Sequence, residues 1–457
     1  MPELERLALA CISPGFPGYD PPDWVRRRLA DGLGGVCLFG WNVRDTDQVA
    51  ALTASLRAEN PNALVSTDEE GGDVTRLEVS TGSSYPGNLA LGAVDDVSLT
   101  ERVAAAIGSD LALAGVDLDL APVADVNINP LNPVIGARSF GADPDLVARH
   151  VAAFVRGLQR GGVAACAKHF PGHGDTEADS HLELPVARGD LAAALVPFRA
   201  AIQAGVRAVM TAHIVVPEID DVPATVSRRL LTDVLRGDLG FDGLVVTDAL
   251  EMRGLAGSIG VEEGAVQALR AGADALCLGH DLGDEAVGAI SAAVVEAVRS
   301  GRLPEERLAE AAGRVARLAA WAARAAPVPD ADRSVGLEAA RRALRVEGDV
   351  RLRGLAAVVE LLPTPNIAAG PFEHSLARLL GTGGDGNGQL VVVLRDAHRH
   401  EWAREETGRL IGAHPDAIVV ETGLPLWRPE RARGYVVTHG AGRVNLEAAV
   451  ERLRGLK

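Results

Sequence analysis

Cysteine is scarce in this chain. Four occur in 457 residues, Cys11, Cys37, Cys166 and Cys277, and no two form a CxxC pair. Each lies within or at the end of an apolar run. Small buried hydrophobes in a reducing cytoplasm explain them better than disulfides or metal ligands do. No stretch approaches about eighteen consecutive apolar residues, which argues against a transmembrane helix. The apolar run Leu7 to Ile12 is too short for a secretory h-region, and Glu3 and Glu5 precede it. The expectation is a cytoplasmic protein without a membrane partner. A basic excess is missing too. A net charge of −17 and a pI near 5.1 argue against a nucleic-acid or anionic-membrane partner. The acidity reads as an aid to solubility. No glycine-rich phosphate turn follows an early strand, and no HEXXH pair occurs.

Short apolar runs alternate with longer helical patterns through the first three hundred residues. The expected strands are Arg6–Ser13, Gly35–Phe39, Ala63–Thr67, Val116–Pro122, Val163–Ala167, Ala208–Ala212, Leu244–Thr247 and Ala273–Leu278. Helix punctuation separates most of them. Ser98 to Glu101 reads as a capping box, and Gly115 ends that helix. Asp143-Pro144 opens another that Gly161-Gly162 ends, and Asp190 and Gly205 bracket a third. Strand-then-helix units in this number predict an α/β fold, a (β/α)₈ TIM barrel, over residues 1–326. A doubly wound sheet is the alternative, but it usually carries the missing phosphate turn. The proline-rich segment Ala326 to Asp332 reads as a linker. Residues 333–457 are expected to form a smaller C-terminal α/β domain. Its expected strands are Leu390–Leu394, Ala417–Glu421 and Tyr435–Thr438, the first preceded by a glycine-rich loop, Gly381 to Gly388.

The densest chemistry lies between Lys168 and His181. Three histidines, one lysine and two aspartates fall within fourteen residues, broken by two glycines and a proline. The segment follows a buried strand, and such a titratable loop is hard to explain as packing. Other strand ends are similar. Asp68 follows the third strand, an Asn/Pro-rich loop with Arg138 the fourth, His213 the sixth, Asp248 the seventh and His280 the eighth. Barrel active sites are built from such C-terminal strand ends.

Asp248 fits two roles, a rigid nucleophile or the cap of the next helix, and spacing does not choose between them. Asp179 stands two residues before His181, close enough to accept the imidazole N–H and favour its charged form, which can then act as a general acid. Lys168, His169, Arg76 and Arg138 supply donors and Asp68 supplies acceptors, a set that suits a polyhydroxylated ligand such as a sugar. His173, Asp175, Asp179 and His181 also make a candidate divalent-metal set, as in metal-dependent barrel hydrolases. The neighbouring Lys168 disfavours a cation there. A catalytically dead sugar-binding barrel is a third reading, and it would lack the nucleophile or the dyad.

Lys168 to His181 resembles the KHFPGHGDTxxDSH signature of glycoside hydrolase family 3, in its β-N-acetylglucosaminidase branch. Asp68 to Leu77 resembles the family's DxEGGxVxRL segment. Ala121 to Asn127 and Asn132 to Phe140 resemble its APVxDVN…NPVIGxRSF block, and Gly240 to Met252 its nucleophile segment. The resemblance spans roughly residues 5–320. Two departures stand out. Thr247-Asp248-Ala249 replaces a common Ser-Asp-Asp, and Glu69 replaces a common glutamine.

The resemblance implies a retaining double displacement without cofactor or metal. Asp248 matches the nucleophile, His181 the general acid/base and Asp179 its dyad partner. Asp68, Arg76, Arg138, Lys168 and His169 match positions that bind the sugar in the −1 subsite. His173 and Asp175 match residues shaping the loop. The implied substrate is a small-molecule glycoside or muropeptide with terminal N-acetylglucosamine, as in cell-wall recycling. Most retaining glycosidases use a carboxylic acid where this branch uses histidine. An imidazole does not repel an anionic attacking group as a carboxylate would. A phosphorylase that uses inorganic phosphate in the second step is therefore the alternative within the class. Oligomeric state is not legible, nor is whether arginines such as Arg428 or Arg433 of the second region reach the site.

Overall fold

Short, largely apolar runs, rich in Val, Leu, Cys and Ala, dictate strands of two to seven residues buried on both faces. In the computed structural model, which describes residues 2–325, 332–365, 367–370, 374–381 and 388–456, eight such strands alternate with helices. They are β1 (Ile12–Pro14), β2 (Gly35–Leu38), β3 (Leu64–Thr67), β4 (Leu118–Asp119), β5 (Ala164–Phe170), β6 (Ala208–Thr211), β7 (Leu244–Val246) and β8 (Leu276–Leu278). Every residue of β2 to β8 is buried.

Strands β2 to β7 pair in chain order into one parallel six-stranded sheet, a half-barrel, with Val36 opposite Val65 and Ala208 opposite Leu244. β1 pairs in parallel with β8, Ile12 opposite Leu276. A single parallel bridge, Val246 to Ala275, connects the two sheets. The carboxyl ends of β3, β5 and β7 therefore open on the same side, carrying Asp68, the Lys168 segment and Asp248.

The helix punctuation held at two of three starts. Asp143 caps the helix Pro144–Arg160 through the Asp145 and Leu146 amides, and Asp190 caps Leu191–Gln203. The expected capping box at Ser98 is corrected. Asp96 is the cap, accepting from the Ser98 and Leu99 amides, so Ser98 lies inside the first turn. The expected strand Arg6–Ser13 is also corrected. Glu3–Ala10 is a helix with two acids in its first turn, followed by β1. Leu4 and Leu7 pack on the core while Ala8 and Leu9 are buried. A short apolar run looks alike in either state.

The second region builds a five-stranded sheet. It contains β9 (Arg345–Gly348), β10 (Ala356–Leu361), β11 (Gln389–Leu394), β12 (Ile418–Glu421) and β13 (Gly434–Val437), in the spatial order β9-β13-β12-β11-β10. Only β9 runs antiparallel. The three expected strands are β11 to β13. The sequence pattern misses β9 and β10, which lie at the two edges and contain no buried residue. Separate apolar clusters cover the two faces of the sheet. Residues 326–331 of the expected linker and 382–387 of the glycine-rich loop lie outside the described residues.

This sheet unit packs on the loop after β3. Asp73 accepts from Arg395 Nη2 at 2.5 Å and from the Ala441 amide at 2.7 Å. Gly442 approaches Gly72 so closely that a Cβ there would sit 2.8 Å from the Gly72 Cα.

Candidate active site

Asp68, Arg76, Arg138, Lys168, His169, His181 and Asp248 line one cavity of about 570 Å³ at the carboxyl ends of the strands. Asp179 stands behind His181. The expected constellation is thus brought together, with one difference of placement. Lys168 and His169 are not in the loop after β5 but within the strand.

Lys168 is fully buried and its Nζ lies 2.6 Å from Asp68 Oδ1 and 2.7 Å from Glu70 Oε1. Arg138 grips Glu70 with both ends of its fork, Nε at 3.0 Å and Nη2 at 2.8 Å. Two cations on one buried carboxylate satisfy a charge that would otherwise be costly to bury. Burial pushes the Glu70 carboxyl up, but Arg138 and Lys168 outweigh it and hold it far below the usual range. For Lys168, burial acts downward, and Asp68 and Glu70 win, so it stays an ammonium. Arg76 adds a longer contact to Asp68, 3.8 Å.

His169 is oriented from behind. Its Nδ1 meets Asp125 Oδ2 at 2.7 Å, and Arg138 Nη2 lies 3.4 Å from its Nε2. Asp125 also accepts the His173 amide at 2.7 Å. Glu70 and Asp125 are the residues that sequence reasoning did not single out, although both fall in the quoted motifs. Each is buried, and each acts on partners more than forty positions away.

Asp179 Oδ1 receives the His181 Nδ1–H at 2.6 Å and the His181 backbone amide at 2.9 Å. That double contact fixes the tautomer and leaves Nε2 for the cavity. Burial lowers the His181 pKa, but the bond to Asp179 and the nearby Asp248 raise it more, so it ends above its ordinary value. Asp179 ends lower than usual: burial acts upward and His181 outweighs it. Asp248 behaves likewise. Burial raises it, and His213, His169 and His181 together bring it below the ordinary carboxylate value. Asp248 does not cap the following helix, which begins at Arg253 with Met252 as its N-cap residue. That leaves an ionised carboxylate facing a pocket that also holds a proton donor. The pair can attack an electrophilic carbon and protonate a leaving oxygen.

The candidate metal set does not converge. His173 spends both ring nitrogens, on Thr176 at 2.6 Å and Ser180 at 3.1 Å. Asp175 accepts the Arg188 and Gly189 amides at 2.7 and 2.5 Å. Among the described residues no group of three or more His, Cys, Asp or Glu is arranged to hold a metal ion. Arg428 and Arg433 turn to Glu347 and Asp349 within their own unit. The second unit reaches the cavity by another segment, Ile367 to Gly370, whose Ala368 carbonyl accepts from Arg76 Nη2 at 2.9 Å.

The family model "Glycosyl hydrolase family 3 N terminal domain" matches residues 23–318. The chain belongs to glycoside hydrolase family 3. It is similar to a β-hexosaminidase of Thiobacillus denitrificans, 43% identical over 282 residues, covering 59% of this chain and 78% of the relative. It resembles the structure of a family 3 β-N-acetylglucosaminidase from Paenibacillus sp. str. FPU-7, with TM-score 0.85 and 33% identity, covering 100% of this chain and 97% of that one. A β-N-acetylhexosaminidase from Beutenbergia cavernae matches 70% of this chain and 99% of its own, with TM-score 0.64 and 32% identity. As a family 3 member this chain is an enzyme, a glycoside hydrolase. Among its described residues no helix is long and apolar enough to cross a membrane.

Proposed function

We propose that this family 3 enzyme is a retaining β-N-acetylglucosaminidase that removes terminal N-acetylglucosamine from β-glucosaminides. One observation carries the reading: the His181–Asp179 pair and Asp248 meet at one cavity beside the buried Lys168–Asp68 and Arg138–Glu70 pairs. The full-length likeness to a β-N-acetylglucosaminidase supports the choice of sugar. Asp248 attacks the anomeric carbon while His181 Nε2–H protonates the departing oxygen. A covalent glycosyl-enzyme results. His181, now neutral, takes a proton from water as it attacks, and Asp248 leaves. Asp68, Lys168, Arg138, Arg76 and His169 hold the sugar hydroxyls, their directions already set by one another.

In this reading the two parallel sheets together form the (β/α)₈ barrel, residues 1–326, and residues 333–457 form the C-terminal domain. Muropeptide fragments in the cytoplasm are the proposed natural substrates. Four buried, free cysteines fit a reducing compartment. A second reading, phosphorolysis, draws on the same dyad. An imidazole at the acid/base position presents no negative charge to an incoming phosphate.

The deciding experiment is turnover of an aryl β-N-acetylglucosaminide, with the β-glucoside as control, in buffers with and without inorganic phosphate. Free N-acetylglucosamine in both buffers is the expected result. N-acetylglucosamine 1-phosphate as the main product would establish the phosphorylase instead. Preference for the glucoside would overturn the sugar assignment.

A further inference from the structure

At the mouth of the cavity three rings cluster on the ends of β2 and β8. Trp41 stacks on Phe39 with centroids 4.8 Å apart and an interplanar angle of 21°. The His280 ring lies 3.8 Å from Trp41. All three line the cavity, yet Trp41 keeps 41% of its surface exposed. A large aromatic left open beside a pocket is unusual for a side chain that gains so much from burial.

The backbone under this platform is fixed. Asn42 is buried, accepts the Phe39 amide at 2.9 Å, and donates to the Phe16 and Gly18 carbonyls at 2.8 and 2.7 Å. Those bonds pin the short turn Gly40–Asn42 that carries the indole. On the other side the Glu251 carboxylate packs so closely on Gly279, the residue before His280, that a Cβ there would sit 1.8 Å from Glu251 Oε1. A platform held by its own neighbours loses little entropy when a ligand lands on it. Polar groups stand at its edge. His280 Nε2 lies 3.0 Å from Asp281 Oδ1. Ile367, from the second unit, lines the same cavity and is more than half exposed.

We propose that Trp41, supported by Phe39 and His280, is the specificity-determining platform of the aglycone subsite, and that it takes a pyranose ring. This rests on the glucosaminidase reading and names what that site accepts beyond the scissile bond. A pyranose has an apolar C–H face that matches the indole and a hydroxyl edge that matches the His280–Asp281 rim. The floor of the cavity, with its buried ion pairs, takes the first sugar; the platform takes the second. Trp41 touches no reacting atom and acts on binding of the leaving sugar alone.

The test compares two substrates that share the first sugar. One is N,N′-diacetylchitobiose, whose leaving group is a pyranose. The other is N-acetyl-β-glucosaminyl fluoride, whose leaving group has no ring. For Trp41→Ala, the ratio of kcat/KM for the disaccharide to that for the fluoride is expected to fall about tenfold. Trp41→Phe is expected to recover most of that ratio, because a flat apolar face returns. An unchanged ratio in Trp41→Ala, or turnover of the fluoride but not the disaccharide by the wild type, overturns the subsite alone. Wild-type enzyme that releases N-acetylglucosamine from neither substrate overturns the glucosaminidase reading and the subsite with it.

Discussion

A histidine serving as general acid must be protonated when substrate arrives, and the carboxylate beside it decides how far up the pH scale that holds. Asp179 contacts both the ring and the backbone of His181, and the imidazolium persists above the ordinary histidine range. Activity should therefore fall on the alkaline side as His181 loses its proton, and on the acid side only as Asp248 and Asp179, both held low, take theirs up. Asp179→Asn removes the charge and keeps the shape. Its alkaline limb in kcat/KM should move to lower pH, with a loss of about a hundredfold on a poor leaving group; an unmoved limb would contradict the dyad. The same raised value makes His181 a stabilising group at low pH. That contribution disappears as pH rises through its folded pKa. His181→Ala should cost far more on an alkyl or sugar aglycone than on an activated aryl glycoside, and equal losses would remove its acid role. Asp248→Ala should abolish turnover while thermal unfolding stays close to wild type. The meeting of these three residues at one cavity was legible from strand ends and the Asp179–His181 spacing, whereas the role of Asp248 came only from the family resemblance, since spacing left it between nucleophile and cap. Glu70 and Asp125 were not legible, because their importance comes from buried pairing with residues far along the chain, which local pattern does not carry.

At the scale of elements, the loop from Pro171 to Asp190 carries the Asp179–His181 pair to the cavity. It contains no helix or strand, and its one ladder contact is the bridge from Val186 to Val215 near its end. Instead Asn132 Nδ2 donates to the His173 carbonyl at 2.8 Å, Asn129 Nδ2 to the Thr176 carbonyl at 2.9 Å, and Asp175 gathers the Arg188 and Gly189 amides. Two charge-assisted bonds from Asp175 are worth about 1.5–3 kcal/mol each at most, less where solvent reaches them. Asp175→Ala should lower kcat about tenfold by loosening the ordered loop, with a shift in melting temperature of only a degree or two. Steady-state kinetics beside calorimetry separates these effects, and a large stability loss with normal kcat would show that Asp175 serves the fold. The strands under this loop were legible as buried apolar runs, accurate to a few residues. The boundary mattered at β5, where Lys168 and His169 extend the strand although they read as loop, because their side chains are buried by ion pairs that hydropathy cannot anticipate. The edge strand β9, Arg-Val-Glu-Gly, lacks the apolar signature of the central strands, whereas β10, Ala-Ala-Val-Val-Glu-Leu, carries that signature and was overlooked.

Across the whole molecule, one buried carboxylate, Asp73, joins the second unit to the loop after β3. Asp73 belongs to the loop that also carries Asp68, Glu70 and Arg76, and it receives Arg395 and the Ala441 amide from the second unit. Burial lowers the Arg395 pKa, but Asp73, with Asp396 and Glu421, more than compensates, so the guanidinium stays charged inside the interface. The same loop is held a second time where Arg76 donates to the Ala368 carbonyl. The second unit is thus positioned to keep the loop carrying Asp68, Glu70 and Arg76 in place, a link between sequence-distant parts that no reading of the chain alone exposes. Asp73→Ala removes a charge-assisted bond to the buried Arg395, a contact worth about 1.5–3 kcal/mol. It should lower the melting temperature by several degrees and raise KM for the glycoside, because the loop carrying Asp68 and Arg76 loses its brace. Gly442→Ala probes the same contact without touching charge, since its Cβ would press on the Gly72 backbone at 2.8 Å. If the brace matters, both variants raise KM in parallel while kcat on an activated aryl glycoside changes less. If only stability falls, the second unit supports the fold and leaves the site to the catalytic half.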